Sequence, residues 1–311
     1  MPEGPEVRKY ADLVDRALSG RRIKHFTART LNARKWLAQY DDKLLKRRVL
    51  RVISHGKHLL GYIEGDYYFH SHLMMWGRWQ TFVPSPPIEI DRRERARIVV
   101  IGGAAILYSA PIFNVGHGDP YTQVEFLNTL GPDALPYEGS FDQEEFSRRL
   151  LSREHKPLTI GAALLNQQIV AGLGNYLRAE ILFACRINPW RLVGELQEKE
   201  LNCLRKSVPE LAHRSYTSTA TATEVDRERM RHDPSFVYQP GREYGTRHLV
   251  FRRTNLPCLR CGEPIKQLRQ VTHSGGDDER DRIIYFCAKC QDAAEVLKDR
   301  RISPRKSRRA G

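Results

Sequence analysis

Apolar residues recur at helical spacing almost from the start of the chain. Val7, Tyr10, Ala11, Val14, Ala17 and Leu18 share one face of a helix predicted over residues 5–18. Pro5 suits its first turn, where no N–H is needed, and Gly20 fits its stop. The period then changes. Residues 21–115 are rich in β-branched and aromatic side chains with few helix signals, and predict strands with turns at 54–56 and 64–66. A charge-free stretch, 98–116, is long enough to span a bilayer. Gly102-Gly103, however, splits it into RIVVI and AAILY, the pattern of a tight β-hairpin, so no membrane span is expected. The first part is therefore a helix plus a β-sandwich or barrel.

LGPDALPYEG, residues 130–139, has the Gly/Pro density of a linker. Helical patterns follow in FDQEEFSRRLL, LTIGAALLNQQIV, NYLRAEILFAC and ELQEKELNCLRKSVPELAHRSY. STATATEVDRERMRHDPSF is polar and weakly patterned, which predicts a mobile loop over 217–235. The final KDRRISPRKSRRAG reads as a disordered basic tail.

At 311 residues the chain can form two domains, each with its own core. A formal charge of +14 favours a polyanionic partner, nucleic acid ahead of a membrane surface, although solvated faces give the same sign. Residues 1–20 carry charges throughout and have no apolar core of a signal peptide, so a cytoplasmic protein is expected.

Two C-x-x-C pairs, Cys258/Cys261 and Cys287/Cys290, can present four thiolates to one tetrahedral zinc ion. A redox-active pair is the alternative. With four sulfurs bound, such a zinc keeps no open position and is structural. Cys185 and Cys203 lie on helical patterns and read as buried free thiols. At Ala171-Gly172-Leu173-Gly174-Asn175 one helix is predicted to end and another to begin. The new N-terminus is either a phosphate site, with Asn175 as cap or direct contact, or an ordinary helical turn.

PEGPE at the start, HGKHLL around Lys57, SHLMMWGRW, ILYSA, LGPD, AGLGNYLRAEIL and the four-cysteine module ending FCAKCQ occur in one order along the chain. Together they resemble the formamidopyrimidine-DNA glycosylase and endonuclease VIII family of DNA repair enzymes, over nearly the whole chain. PEGPE, ILYSA and AGLGNYLRAEIL are more similar to the endonuclease VIII branch. The resemblance implies an α+β fold: an N-terminal β-sandwich flanked by helices, then a helix-two-turn-helix domain with a zinc-bound β-hairpin. The implied boundaries are 1–130 for the catalytic domain, 131–140 for a linker, 141–256 for the helical domain, 257–291 for the zinc finger and 292–311 for the tail. It also implies a monomeric glycosylase and abasic-site lyase of base excision repair. The expected partner is damaged double-stranded DNA, in the cytoplasm and, in a bacterium, at the nucleoid.

The resemblance assigns roles residue by residue. Pro2, once Met1 is removed, supplies a secondary amine that attacks C1′ of the damaged nucleotide; otherwise it merely starts the chain. Glu3 is the general acid, which needs a closed, apolar site to hold its proton, or else a favourable charge at a helix start. Lys57 acts at the lesion's phosphate and in β-elimination, against the default of a solvated lysine. Arg282, on the zinc hairpin, grips phosphates and serves δ-elimination. Met74, Met75 and Trp76 fill the gap left by the extruded base, or else belong to the core. Where the purine-lesion branch carries an Arg-Arg-Phe wedge this chain reads APIFNVG, and Met74 stands where the endonuclease VIII branch tends to have Gln. Oxidised pyrimidines are therefore the expected substrates. A purine-lesion glycosylase and a non-catalytic DNA-binding protein are the alternatives.

Overall fold

A computed structural model of the chain describes residues 2–84, 91–232, 246–273 and 280–298. Its contacts divide it into two units, Met1–Phe141 and Asp142–Gly311. In the first, helix α1 (Gly4–Leu18) buries Val7, Ala11, Val14, Ala17 and Leu18, the stripe that the spacing predicts. Strand β1 (Ile23–Ala28) follows.

Helix α2 (Leu31–Leu44) lies in a stretch where few helix signals are read, and with α1 gives the sandwich its flanking helices. It buries only Ala33, Leu37 and Leu44, so its apolar stripe is sparse among charged neighbours. Packing of Trp36 against Tyr67, with centroids 6.0 Å apart, helps hold it to the sheet.

Seven strands complete the unit: β2 (Val49–His55), β3 (His58–Ile63), β4 (Tyr67–His72), β5 (Arg78–Phe82), β6 (Glu94–Val100), β7 (Gly103–Tyr108) and β8 (Ile112–His117). They form two antiparallel four-stranded sheets, ordered β2-β3-β4-β8 and β1-β6-β7-β5. Phe69 and Phe113 from one sheet meet Phe26 and Trp79 from the other, with centroids 6.1–6.2 Å apart, in the core of a β-sandwich. Gly61 has to be glycine, because a Cβ there would lie 2.0 Å from the Phe69 ring. The predicted hairpin pairs Val100 with Gly103 across Gly102, whose φ is +81°. Among the described residues no helix is long and apolar enough to cross a membrane.

A short helix, α3 (Pro120–Gln123), leads to residues 130–139, which pack onto the first unit. The Arg8 guanidinium donates to the Pro136 carbonyl at 3.3 Å and sits 4.3 Å from the Tyr137 ring centre.

The second unit contains α4 (Gln143–Leu150), α5 (Ile160–Ala163), α6 (Asn175–Ala184), α7 (Glu198–Ser218), α8 (Glu224–His232) and a hairpin of β9 (Lys266–His273) and β10 (Arg280–Phe286). Helices α4, α6 and α7 match the predicted patterns. LTIGAALLNQQIV does not: only one turn, α5, is helical, and tight turns follow. Gln167 explains the change. Its amide donates to the Leu165 and Leu173 carbonyls at 2.9 and 3.0 Å and accepts the Gly172 N–H at 3.1 Å, taking the Leu165 carbonyl from a continued helix and bracing the turns that follow.

Two further expectations are corrected. Residues 224–232, read as loop, are helical, with the Thr223 hydroxyl and the Asp226 carboxylate bonding at the helix start. Cys185 and Cys203 form a disulfide instead of standing as free thiols, because packing of α6 on α7 brings their Cα atoms to 5.6 Å. Of the expected loop, residues 217 and 218 close α7, and of the expected tail Glu295–Lys298 forms a 3-10 turn; 233–235 and the tail from 299 lie outside the described residues.

Candidate active site and metal centre

Pro2 is half-buried at the mouth of α1, and Glu3 beside it is only 3% exposed. Glu3 is the N-cap residue, with extended backbone. Its N–H donates to the Glu6 carboxylate at 2.9 Å and its carbonyl accepts the Val7 N–H at 3.1 Å. Glu6 thus answers for the orphan N–H at this helix start. A carboxylate next to Pro2 is held away from bulk water.

Lys57 occupies the two-residue turn between β2 and β3, one position later than the turn the sequence predicts, since His55 still pairs with His58. It is 8% exposed, not solvated. Gly56 before it takes φ +54°, a conformation costly for residues with a Cβ, and donates its N–H to Asp133 at 2.9 Å. The Asp133 carboxylate also accepts the Leu135 N–H at 3.0 Å. Part of the residue's surface stays open, but enclosure of the carboxylate dominates and moves its pKa up. His55, the two N–H donors and Arg8 pull the other way. Asp133 is therefore the common neighbour of α1, the Lys57 turn and the LGPD segment. His55 bridges the same pieces, with its ring nitrogens 2.9 Å from the Tyr121 hydroxyl and 3.3 Å from the Gly131 carbonyl.

Three histidines stand beside Lys57. His58 Nδ1 lies 2.9 Å from His70 Nε2, and the His58 and His72 rings are 4.8 Å apart. Burial comes first in pushing His58 down to about 2, with the other histidines and Lys57 adding to it. Burial likewise takes His70 to about 3, with His72 assisting, and His72 to about 4, with Lys57 assisting. All three rings are neutral at pH 7. The sequence reading missed them, although strand alternation puts His70 and His72 on one face of β4, and the β3–β4 register places His58 opposite His72.

Met74, Met75 and Trp76 cap the β4–β5 connection, 41%, 61% and 77% exposed, so they do not belong to the core. Leu73 is buried before them, and the Gly77 N–H closes the turn on the Leu73 carbonyl at 2.8 Å. Met74 has φ +52°, an unusual conformation for its residue type.

In the second unit, Gly174 is the N-cap of α6 and Asn175 its first helical residue, so Asn175 does not cap the helix. Gly172, at φ +99°, aims the chain into that N-terminus. Arg282 is exposed on β10, across the ladder from Gln270. One turn into α6, the fully buried Arg178 donates to the Gly161 carbonyl at 3.1 Å, Gln270 Oε1 at 3.2 Å and the Ile283 carbonyl at 2.8 Å. Glu180, also fully buried, accepts the N–H groups of Leu249, Val250 and Phe251 at 2.7–2.9 Å and the Thr221 hydroxyl at 2.7 Å. Gln167, Arg178 and Glu180 were not singled out by the sequence reading, and only Arg178 and Glu180 carry a signal, as charges within an otherwise largely apolar helix.

The ligand sulfur atoms of Cys258, Cys261, Cys287 and Cys290 all lie within 4.8 Å of one another, so they could hold one metal ion. Cys258 and Cys290 are 3.8 Å apart, Cys261 and Cys287 3.5 Å. A tetrahedron with metal–sulfur bonds of about 2.3 Å has edges of about 3.8 Å, which these separations approach. Burial pushes the Cys287 thiol up to about 11 and raises Cys290 as well. Four thiolates at these separations are the donor set that a tetrahedral zinc ion takes, and a cation among them would favour their ionised form.

The sequence model of the formamidopyrimidine-DNA glycosylase N-terminal domain matches residues 1–111, and that of the formamidopyrimidine-DNA glycosylase H2TH domain matches residues 130–226. Endonuclease 8 of Pectobacterium atrosepticum is 32% identical over 94% of this chain and 100% of its own length. Endonuclease 8 of Salmonella typhi is 30% identical with the same coverage. The fold is that of Lactococcus lactis formamidopyrimidine DNA glycosylase, solved non-covalently bound to DNA containing an AP site. That structure has a TM-score of 0.71 at 22% identity, over 93% of this chain and 99% of that one. MutM solved with DNA containing carbocyclic 8-oxo-G gives the same TM-score and identity. Both halves of the chain thus answer to one set of relatives, and the chain belongs to the formamidopyrimidine-DNA glycosylase and endonuclease VIII family of DNA repair glycosylases.

Proposed function

We propose that this protein is a bifunctional DNA glycosylase and abasic-site lyase that removes oxidised bases, pyrimidines before purines, from double-stranded DNA. The observation that carries the reading is the enclosure of Glu3 beside Pro2 at the start of α1 and of Lys57 on the β2–β3 turn, two charged side chains held out of bulk water where proton transfer would take place. Removal of Met1 makes the Pro2 nitrogen a secondary amine. Free α-amino groups titrate near pH 8, roughly, so part of it is neutral at pH 7. The nitrogen attacks C1′ and loses its proton as the N-glycosidic bond breaks. The nitrogen lone pair then opens the C1′–O4′ bond to give an iminium ion, with Glu3 delivering a proton to the ring oxygen or the departing base. The resulting iminium ion is already cationic and acidifies the C2′ proton. Loss of that proton breaks the C3′–O3′ bond, and a further proton loss breaks C5′–O5′, each leaving a phosphate end. Lys57 handles the proton of the first elimination, and Arg282 holds phosphate during the second.

Cys258, Cys261, Cys287 and Cys290 would hold one zinc ion, whose closed four-sulfur shell supplies rigidity and no reaction step. Asn175, the first residue of α6, contacts a phosphate at the positive end of that helix. Met74, Met75 and Trp76 are exposed side chains on a turn, suited to enter the stack as the base leaves. The preference for pyrimidines rests on the stretch after Ser109. Phe113 is built into the sandwich core and Ile112 opens β8, with no arginine pair in the position of the purine branch's wedge.

Borohydride trapping on abasic-site duplex tests the chemistry. A covalent adduct is expected with the trimmed protein and none when Pro2 is replaced by a residue extended at its amino group. Equal trapping of the two would refute the mechanism. Excision of 5-hydroxycytosine and thymine glycol should exceed that of 8-oxoguanine, and the reverse order would favour the purine-lesion alternative.

A further inference from the structure

We infer that Arg178 is a positioning residue that fixes the spacing between Asn175 and Arg282, and so sets how far strand cleavage proceeds from β- to δ-elimination. The inference rests on the proposed phosphate role of Arg282.

Arg178 is fully buried, so it cannot touch DNA, and any effect on the reaction passes through its neighbours. Those neighbours are specific. One guanidinium nitrogen donates to the carbonyl of Ile283, the residue after Arg282 on β10. The other donates to the Gly161 carbonyl of α5 and to the side chain of Gln270. Gln270 is the residue that faces Arg282 across the ladder. Directly opposed residues project from the same face of an antiparallel pair, so Gln270 and Arg282 are side by side, one buried and one emerging. Gln270 is itself held, donating to the Pro189 carbonyl at 2.8 Å and the Thr159 hydroxyl at 3.2 Å.

Arg178 also lies on α6, three residues after Asn175 and one helical turn from that helix's N-terminus. A single side chain thus bolts the strand of one phosphate contact to the helix of the other. A planar fork with several donors can meet three acceptors at once, which a lysine cannot. The four cysteines lie at the far end of the same hairpin, so they constrain its base, whereas Arg178 and Gln270 constrain it at the level of Arg282.

The test compares Arg178→Met with the parent protein on abasic-site duplex, reading the ratio of δ- to β-elimination ends, borohydride trapping and zinc content together. The expected result is a fall in the δ fraction of about tenfold, on the scale at which slight misplacement of a positioned group costs rate. Trapping should fall far less, with zinc content retained. Should Arg178→Met fold poorly, Gly161→Ala decides. Its Cβ would meet Gln270 Oε1 at 2.2 Å, displacing the amide without touching Arg282, and the δ fraction should fall in the same direction. Combining Arg178→Met with Arg282→Ala should change the ratio no further than Arg282→Ala alone. An unchanged δ fraction in a folded variant overturns the inference, as does full additivity with Arg282→Ala. If Arg282→Ala alone leaves the ratio unchanged, the proposed role of Arg282 fails instead.

Discussion

Lys57 and Arg282 carry the same charge in opposite surroundings. Lys57 sits on a two-residue turn of a four-stranded sheet, nearly closed off from water, with Gly56 beside it tied to Asp133. Arg282 is exposed on a two-stranded hairpin. An isolated pair of strands is marginal in water, so the hairpin borrows rigidity from the cysteine cluster at one end and from Arg178 and Gln270 along its flank. The difference follows from the two tasks proposed. Proton transfer benefits from a cation shielded from solvent, which a sandwich core can provide. Gripping a phosphate requires an exposed guanidinium on a stiff base, and where the core is too small a metal site takes its place.

Metal removal tests this contrast with the largest effect. Structural zinc sites contribute roughly 10–16 kcal/mol of folding free energy in small modules. Chelation, or Cys287→Ser, should therefore abolish hydrogen-exchange protection across Lys266–His273 and Arg280–Phe286 while leaving β2, β3 and β4 protected. Equal loss of protection in both regions would show that the hairpin and the sandwich do not depend on different supports.

Acid should act on the other region. His58, His70 and His72 have folded-state pKa values of about 2, 3 and 4, below the unfolded value near 6.5. A depressed histidine contributes stability in full above about pH 6.5, and that contribution drains away as pH falls towards the folded value. Each ring adds a slope of up to about 1.4 kcal/mol per pH unit. Urea unfolding of the sandwich between pH 7 and 4 should show this loss, and His70→Gln should flatten it. An unaltered slope in that variant would mean that the ring is not buried neutral.

Asp133 has the opposite sign and a smaller effect. Burial raises its pKa, so its contribution is complete below the unfolded value and declines as pH rises through the folded one. In Asp133→Asn one of the two N–H groups, Gly56 or Leu135, loses its acceptor, a cost of about 1–3 kcal/mol. The variant should be less stable at pH 5, and the gap to the parent should narrow at higher pH. A constant gap would assign the whole cost to the lost hydrogen bond.

Much of this arrangement is legible in the chain, and what is not has a physical cause. The α1 stripe, the Gly102-Gly103 hairpin and the paired C-x-x-C turns are local patterns, readable because their partners lie within a few residues. Helix α2 escapes because its buried residues are three, scattered among charges. The turns after α5 escape because a side-chain amide, Gln167, takes the Leu165 carbonyl and ties it to Gly172 and Leu173, a local contact that periodicity does not register. The Cys185–Cys203 bridge needs the packing of two helices, which spacing does not encode. At the site, Glu3 and Lys57 could be named from motifs and a closed setting expected for Glu3, but the burial of Lys57 could not be read. Asp133 and Arg178 act across 77 and 105 residues of sequence, on Gly56 and Ile283, and such reach leaves no periodic trace.

Trp76 gives the smallest effect on folding and separates exposure for function from exposure by accident. The side chain is 77% exposed and lies on a turn closed by backbone atoms of Leu73 and Gly77. Trp76→Ala therefore removes little buried contact, and the urea midpoint should shift by no more than about 0.5 kcal/mol. Exposed apolar residues are costless to lose only if nothing covers them. If the indole fills the space of an extruded base, the variant loses part of the few kcal/mol that offset unstacking. Excision from duplex should then drop about tenfold or more, while lyase activity on a single-stranded abasic site, where no stack is broken, should change little. Equal losses on both substrates would place Trp76 in general DNA contact, and the extrusion role would pass to Met74 and Met75.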